Sequence, residues 1–278
     1  MKKLFAIVLM LLVAMPAFAE DAKESTYDRV LRTKTIRCGY IPYAPAVMID
    51  PNTKAFSGII PEVMEEAARL LDLKIEWAEE VGWGTTVDSI RTGRVDAICV
   101  GFWENPAEGK YLFFSRPLYY SPMNAYVRVD DTRFDMDITL LDNESMTIVS
   151  GDGEMSGIIA RQDFPKAKVL SLPNMGDTTE QLLAISTKKA DASFFETWTA
   201  EDFIAKNPNT LKNVTRLAPM RVFADTIALP MDDVKFKAML DNAFNQIINS
   251  GHMDKIIAKY EKYPGSLLRV AKPYEAPK

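Results

Sequence analysis

From about residue 35 to residue 206 the chain alternates between short apolar runs and stretches with helical spacing, and no other feature constrains its fold as strongly. Residues 35–40 read as a strand, 60–71 as a helix with Pro61 in its first turn, 74–78 as a strand, 85–92 as a helix and 95–100 as a buried strand. A polar, acidic, weakly patterned stretch follows at 130–144. The alternation then resumes with strands at 146–149, 168–171 and 192–195 and helices at 156–162, 178–188 and 198–206. Parallel strands need crossovers, and helices supply them, so such a pattern predicts mostly parallel sheets flanked by helices. Two series separated by a polar stretch predict two α/β lobes.

An internal echo supports the division. Ile90-Arg-Thr-Gly-Arg-Val-Asp96-Ala97 and Ile185-Ser-Thr-Lys-Lys-Ala-Asp191-Ala192 share I-x-T-x-[RK]-x-D-A. Each ends a helix, turns, and enters an apolar strand that leads to an aromatic and acidic cluster. The clusters are Phe102-Trp103-Glu104 and Phe194-Phe195-Glu196-Thr197-Trp198. Ligands of open α/β sheets sit beyond the carboxyl ends of the strands, so two lobes presenting those ends to each other predict a cleft. Residues 234–260 read as helices with a stop at Asn249-Ser250-Gly251. The tail after Pro264 is expected to dock loosely or fray.

The start of the chain carries a different signal. Met1-Lys2-Lys3 is basic, residues 4–15 are apolar, and Ala17-Phe18-Ala19 is a small-x-small cleavage site, the layout of a secretory signal peptide over residues 1–19. Cleavage after Ala19 would leave Glu20 first. No cysteine stands there, which argues against a lipid anchor, and no later run reaches the roughly 20 apolar residues of a membrane span. A soluble, exported protein is the expectation. The formal charge of −5 and the lack of a basic stripe argue against nucleic acid as a partner. Export permits a disulfide, but Cys38 and Cys99 make no framework and no metal motif. Buried free thiols are the plain reading. No Cys–His pair, G-x-S-x-G elbow, metal spacing or phosphate loop appears, so no cofactor is expected.

An ordered set of segments resembles the bacterial extracellular solute-binding proteins of the polar amino-acid type, which serve ATP-driven importers. Tyr43-Ala44-Pro45 follows the first strand. Phe56-Ser57-Gly58 and the Ile59-Ile60-Pro61-Glu62 after it are similar to the family's entry to its first helix. Residues 83–97 are similar to its "w-x-x-l-i-p-a-L-x-x-g-k-v-D-a" segment, Phe113-Phe114-Ser115-Arg116-Pro117-Leu118-Tyr119 to "v-d-F-S-x-P-Y", and residues 250–256 to the closing "d-G-t-x-x-k-I". The resemblance implies a two-lobed periplasmic-binding-protein-like fold of type II, each lobe a mostly parallel sheet flanked by helices. Lobe 1 would be residues 20–125 with 221–278, and lobe 2 residues 126–220. Crossovers near 122–128 and 216–225 would let the lobes close like a hinge. It further implies a periplasmic monomer that binds a small-molecule ligand and delivers it to the membrane permease of an ABC importer.

The resemblance also assigns site residues. Tyr43 and Trp83 match the rings that sandwich the ligand; the alternative is that each packs in its lobe's core. Glu196 falls where the family binds an ammonium group with aspartate. Glu108 departs from the pattern, standing where an arginine grips the ligand's α-carboxylate. A glutamate there would repel that group. Trp103 replaces a small hydroxyl residue beside it, and Gly101 and Phe102 precede it on the same strand. Tyr40, Tyr43, Trp83, Phe102, Trp103 and Trp198 could line a cleft with Glu108 and Glu196 as its anions, a setting suited to an organic cation. The alternative leaves Glu108 in solvent, with Lys110 or Arg116 taking the carboxylate. In lobe 2, Asp152, Gly153 and Glu154 occupy the family's loop before a helix, where acidic side chains oppose an anionic ligand or simply cap the helix. A neutral or aromatic ligand and an amino acid bound differently stay open. So do a role as the loaded partner of a membrane sensor and, less favoured by the sequence, a prephenate-type dehydratase on the same fold.

Overall fold

The computed structural model describes residues 24–173 and 178–270. The signal peptide read over residues 1–19 lies outside the described residues. The first half runs α1 (Thr26–Thr33), β1 (Thr35–Tyr40), β2 (Met48–Ile49), β3 (Phe56–Ser57), α2 (Ile59–Leu70), β4 (Lys74–Glu80), α3 (Thr86–Arg91), β5 (Ala97–Trp103), β6 (Leu112–Phe114) and β7 (Tyr119–Arg128). The second series is β8 (Thr147–Gly151), α4 (Met155–Asp163), β9 (Lys168–Leu172), α5 (Thr179–Ser186), β10 (Ala192–Glu196), α6 (Thr197–Lys206) and β11 (Leu211–Asn213). The chain then returns through β12 (Arg221–Pro230) to α7 (Val234–Asn249), α8 (His252–Tyr260) and β13 (Leu268–Arg269).

The main sheet has the order β4-β1-β5-β12-β7-β10-β8-β9. Pairings β1–β4, β1–β5, β8–β9 and β8–β10 are parallel. The long strands β7 and β12 are antiparallel to each other, β12 lying antiparallel against β5 and β7 against β10. Each half is thus a parallel three-strand set closed by one antiparallel strand, β12 in the first half and β7 in the second. The apolar cores divide the same way: one draws on residues 30–119 and 227–267, two adjoining ones on residues between 123 and 211.

The sequence echo has a common structural role. Asp96, at the entry to β5, accepts hydrogen bonds from the Arg37 amide (2.7 Å) and the Arg37 guanidinium (2.9 Å), and from the Arg29 guanidinium (3.1 Å). Asp191, at the entry to β10, accepts from the Thr147 amide (2.9 Å) and the Arg133 guanidinium (2.7 Å). Each aspartate ties its strand to the start of the neighbouring parallel strand. Local chemistry also explains the entry to α2. Gly58 has φ +118°, and a Cβ there would stand 2.6 Å from the Ala46 carbonyl oxygen, so only glycine lets the loop approach. The Ile59 and Ile60 amides then donate to the Pro45 and Ala46 carbonyls, at 3.1 and 2.9 Å, which satisfies two orphan donors of the helix.

Two expectations are corrected. Cys38 and Cys99 are not free thiols: they form a disulfide with a Cα–Cα distance of 5.5 Å, both residues fully buried. They are 61 residues apart in sequence, but β1 and β5 are neighbours, with Cys38 opposite Ala97 and Cys99 two residues further on the same face. The tail does not fray as far as it is described. Leu267 is buried, β13 pairs with β7, and Arg269 pairs with Asp254 (3.0 Å) and Glu261 (2.5 Å).

Candidate functional site

A cavity of about 370 Å³ lies between the carboxyl ends of the two strand sets, where open α/β sheets place ligands. Tyr43 reaches it from a tight loop after β1, held by reciprocal Tyr43–Val47 backbone hydrogen bonds of 2.9 Å. Trp83 reaches it from a 3₁₀ turn, Trp83–Thr85, so the α-helix expected from residue 85 begins one residue later, at Thr86. Gly101, Phe102 and Trp103 end β5 and form the floor, with Asn105 and Glu108 beyond them. The opposite wall is Glu154, Met155 and Ser156 at the start of α4, Phe194, Phe195 and Glu196 at the end of β10, and Thr178 and Thr199; Met123 comes from β7.

Tyr43 and Trp83 keep 38% and 48% of their surface exposed, so neither ring is core filler. Their centroids lie 6.2 Å apart, edge to face, and Trp83 tilts against Phe102 at 5.7 Å. Trp103 both lines the cavity and stacks on Phe223 at 4.3 Å.

The charged groups are all acidic. Glu108 does not point to bulk solvent: its carboxylate accepts from the Thr86 hydroxyl (3.1 Å) and the Asn105 amide (2.5 Å) and lines the cavity. Neither Lys110 nor Arg116 is in the lining. Glu154 accepts from the Gln181 amide at 2.9 Å. Glu196 accepts from the Tyr43 hydroxyl at 2.8 Å, a bond that joins the two halves across the opening. Burial pushes the Glu196 carboxyl up to about 7, and the Tyr43 hydrogen bond opposes that rise. Burial and the adjacent Glu196 raise the Tyr43 hydroxyl well above the ordinary tyrosine value. Among the described residues, none that lines the cavity is lysine, arginine or histidine. His252 sits at the start of α8 against Glu66 (3.6 Å), away from the cavity.

Four residues expected in the site lie outside the lining. Tyr40 packs edge-on against Phe56 (4.7 Å) and Trp77 (6.2 Å). Trp198 packs on Tyr263 at 5.3 Å beneath the Lys262 ammonium. Asp152 is exposed and accepts from the Ser171 hydroxyl, and Gly153 is an exposed turn residue with φ +76°. Strand alternation and helix phase turn the first two away, and the turn tip carries the other two outward.

Sequence reasoning also missed groups. Phe194 and Phe195 stood in the cluster before Glu196 without being singled out. Met123, Met155, Ser156 and Thr199 carried no signal. Asp225 did, as a lone charge in the apolar run of β12. It is 3% exposed, accepts from Ser121 at 2.7 Å, and lies directly beneath Gly101. Burial holds its carboxyl well above the usual carboxylate range, the nearby Glu196 adds to the effect, and donors Ser121, Trp103 and Tyr119 oppose it.

Residues 36–263 match the family model of the bacterial extracellular solute-binding proteins, family 3. The "Probable histidine-binding protein" of Campylobacter jejuni subsp. jejuni is 23% identical over 233 residues, spanning 82% of this chain and 86% of the relative. An ancestral amino acid-binding protein, a precursor of cyclohexadienyl dehydratase, superposes with a TM-score of 0.69 at 21% identity, covering 86% of this chain and 100% of that one. The L-cystine solute receptor of Neisseria gonorrhoeae, in an unliganded open conformation, superposes with a TM-score of 0.65 at 20% identity, covering 85% and 97%. These structural likenesses establish the two-lobed fold.

Proposed function

The chain belongs to the bacterial extracellular solute-binding proteins, family 3, and from that premise we propose that its cleft captures a small organic cation in the periplasm and delivers it to the permease of an ABC importer. The carrying observation is the inventory of the lining. Glu108, Glu154 and Glu196 face a cavity walled by Tyr43, Trp83, Phe102, Trp103 and Phe195, with no basic side chain among the described lining residues. Aromatic faces contribute about 0.5–2 kcal/mol per cation contact, and charge-assisted hydrogen bonds about 1.5–3 kcal/mol. An ordinary amino acid fits this inventory poorly, because its α-carboxylate would meet carboxylates with no cation to grip it. The start of α4, which would favour an anion, already has Glu154 beside it. A prephenate-type dehydratase needs a dianionic substrate, which the same carboxylates oppose.

In this reading lobe 1 is residues 20–125 with 221–278, lobe 2 is residues 126–220, and β7 and β12 act as the crossovers. The separate apolar cores of the two halves support it. The test is a thermal-shift panel of amines, quaternary ammonium compounds, amino acids and aromatic acids, followed by calorimetry and scattering. A cation present at 100 times its Kd should stabilise the protein by about 2.7 kcal/mol and compact it. Stabilisation by aromatic acids alone would refute the reading.

A further inference from the structure

Three carboxyl groups, Glu108, Glu154 and Glu196, line the cleft, more than a single positive group can pair, and two of them are fastened at separate places. Glu196, at the end of β10, is held by the Tyr43 hydroxyl at 2.8 Å. Glu108 is held by Thr86, at the start of α3, at 3.1 Å, and the Thr86 hydroxyl also meets the Trp83 carbonyl oxygen at 3.2 Å. The Tyr43 and Trp83 rings lie next to each other between these tethers, 6.2 Å centroid to centroid. The contacts therefore run Glu196, Tyr43, Trp83, Thr86, Glu108, with a carboxylate at each end of an aromatic pair.

A further carboxylate backs the Glu196 end. Asp225 is buried under the cavity floor, and a Cβ on Gly101 would stand 2.6 Å from its Oδ1 and 2.5 Å from the Tyr119 hydroxyl. Because residue 101 is glycine, only bare backbone separates that carboxylate from the cavity. Burial and the neighbouring Glu196 raise the Asp225 carboxyl, and burial raises Glu196 itself, so a cation placed there favours the ionised form of both carboxyls at once.

Building on the reading that this cleft takes an organic cation, we infer that the ligand is a carboxylate-free dication, a diamine or amino-guanidine, with one charged group at Glu196 above Asp225 and the other at Glu108. A dication satisfies both ends and its methylene chain lies along Tyr43 and Trp83. A basic amino acid would bring a carboxylate for which no described lining residue supplies a positive charge.

Calorimetry on the mature protein with 1,4-diaminobutane, 4-guanidinobutylamine, butylamine and arginine tests this. Each dication should bind at least about tenfold more tightly than butylamine, and 4-guanidinobutylamine at least about tenfold more tightly than arginine, the scale of one charged hydrogen bond. Glu108→Gln should remove most of the advantage of 1,4-diaminobutane over butylamine. Asp225→Asn, checked for an intact thermal transition, should weaken both dications. Equal affinity for butylamine and 1,4-diaminobutane would overturn the dication while leaving the organic-cation reading in place. Tighter binding of arginine than of 4-guanidinobutylamine would overturn the carboxylate-free assignment. Failure of all four to bind would overturn both this inference and the reading beneath it.

Discussion

The two lobes repeat one construction and are fastened differently. In both, an aspartate at a strand entry locks two parallel strands together, and both present strand ends to the cavity. In lobe 1 the aspartate, Asp96, is 2% exposed and shared by Arg29 and Arg37. The same strand pair also carries the Cys38–Cys99 disulfide, and α7 contributes to the same core. In lobe 2 the corresponding Asp191 is 19% exposed and pairs with a half-exposed Arg133 at 2.7 Å and, more distantly, with Arg128 at 3.7 Å. No cysteine lies in that half of the chain. The stapled lobe carries Tyr43, Trp83, Phe102 and Trp103 on the cavity. The less fastened lobe carries Glu154 and Glu196 on the facing wall.

The largest expected effect is on that staple. A loop of 61 residues corresponds to about 4 kcal/mol of stabilisation in the chain-entropy account. The Cys38→Ala, Cys99→Ala variant should lose about that much in denaturant titration, with faster hydrogen exchange in β1 and β5 than in β8 and β10. Equal loss of protection in both lobes would break the comparison. Next come the paired aspartates. Asp96→Ala should cost about 3 kcal/mol, because it leaves a buried backbone donor and two guanidinium groups without their acceptor. Asp191→Ala should cost about 1–2 kcal/mol, since the carboxylate is more exposed and its nearer partner, Arg133, is already partly solvated. Similar costs would show that burial does not separate the two copies.

Smaller effects bear on what each lobe gives the ligand. Glu108→Arg should abolish binding of a cationic ligand, and combined with Trp103→Ser should open a place for an amino-acid carboxylate; calorimetry against both ligand classes decides. The Trp103 change removes its stack on Phe223, so the double variant should also melt earlier. Undiminished cation binding by Glu108→Arg would count against a cation held by lobe 1. A pH dependence in lobe 2 completes the comparison. Glu196 has a folded value of about 7 against an ordinary 4.5, so between those values the folded state holds a proton the unfolded chain releases. Its contribution to stability is therefore fully present below about 4.5 and is lost as pH rises through about 7. Glu196→Gln should flatten that part of the profile relative to the unaltered protein, as read from melting temperatures. Cation binding should run the other way, strengthening as pH rises through 7. An unchanged slope in Glu196→Gln would show that the carboxyl titrates normally.

The amino-acid pattern determined the order of helices and strands, the two α/β series and the family resemblance, because these depend on local periodicity and short motifs. The echo of Asp96 and Asp191 was legible for the same reason: one local turn, written twice. Of the residues named beforehand, Tyr43, Trp83, Gly101, Phe102, Trp103, Glu108, Glu154 and Glu196 lie on the cavity, each at a strand end or loop that the pattern had already located. What only the tertiary structure decided depends on register and facing. Cys38 and Cys99 meet because β1 and β5 pair in parallel, a contact that spans 61 residues and leaves no local trace. Tyr40 and Trp198 turn away because one step along a strand, or a fraction of a helical turn, reverses the side a ring faces. Asp225 reaches the floor because β12 returns from the far lobe to lie against β5, with Asp225 opposite Trp103, and because residue 101, on the facing strand, has no side chain to stand between them.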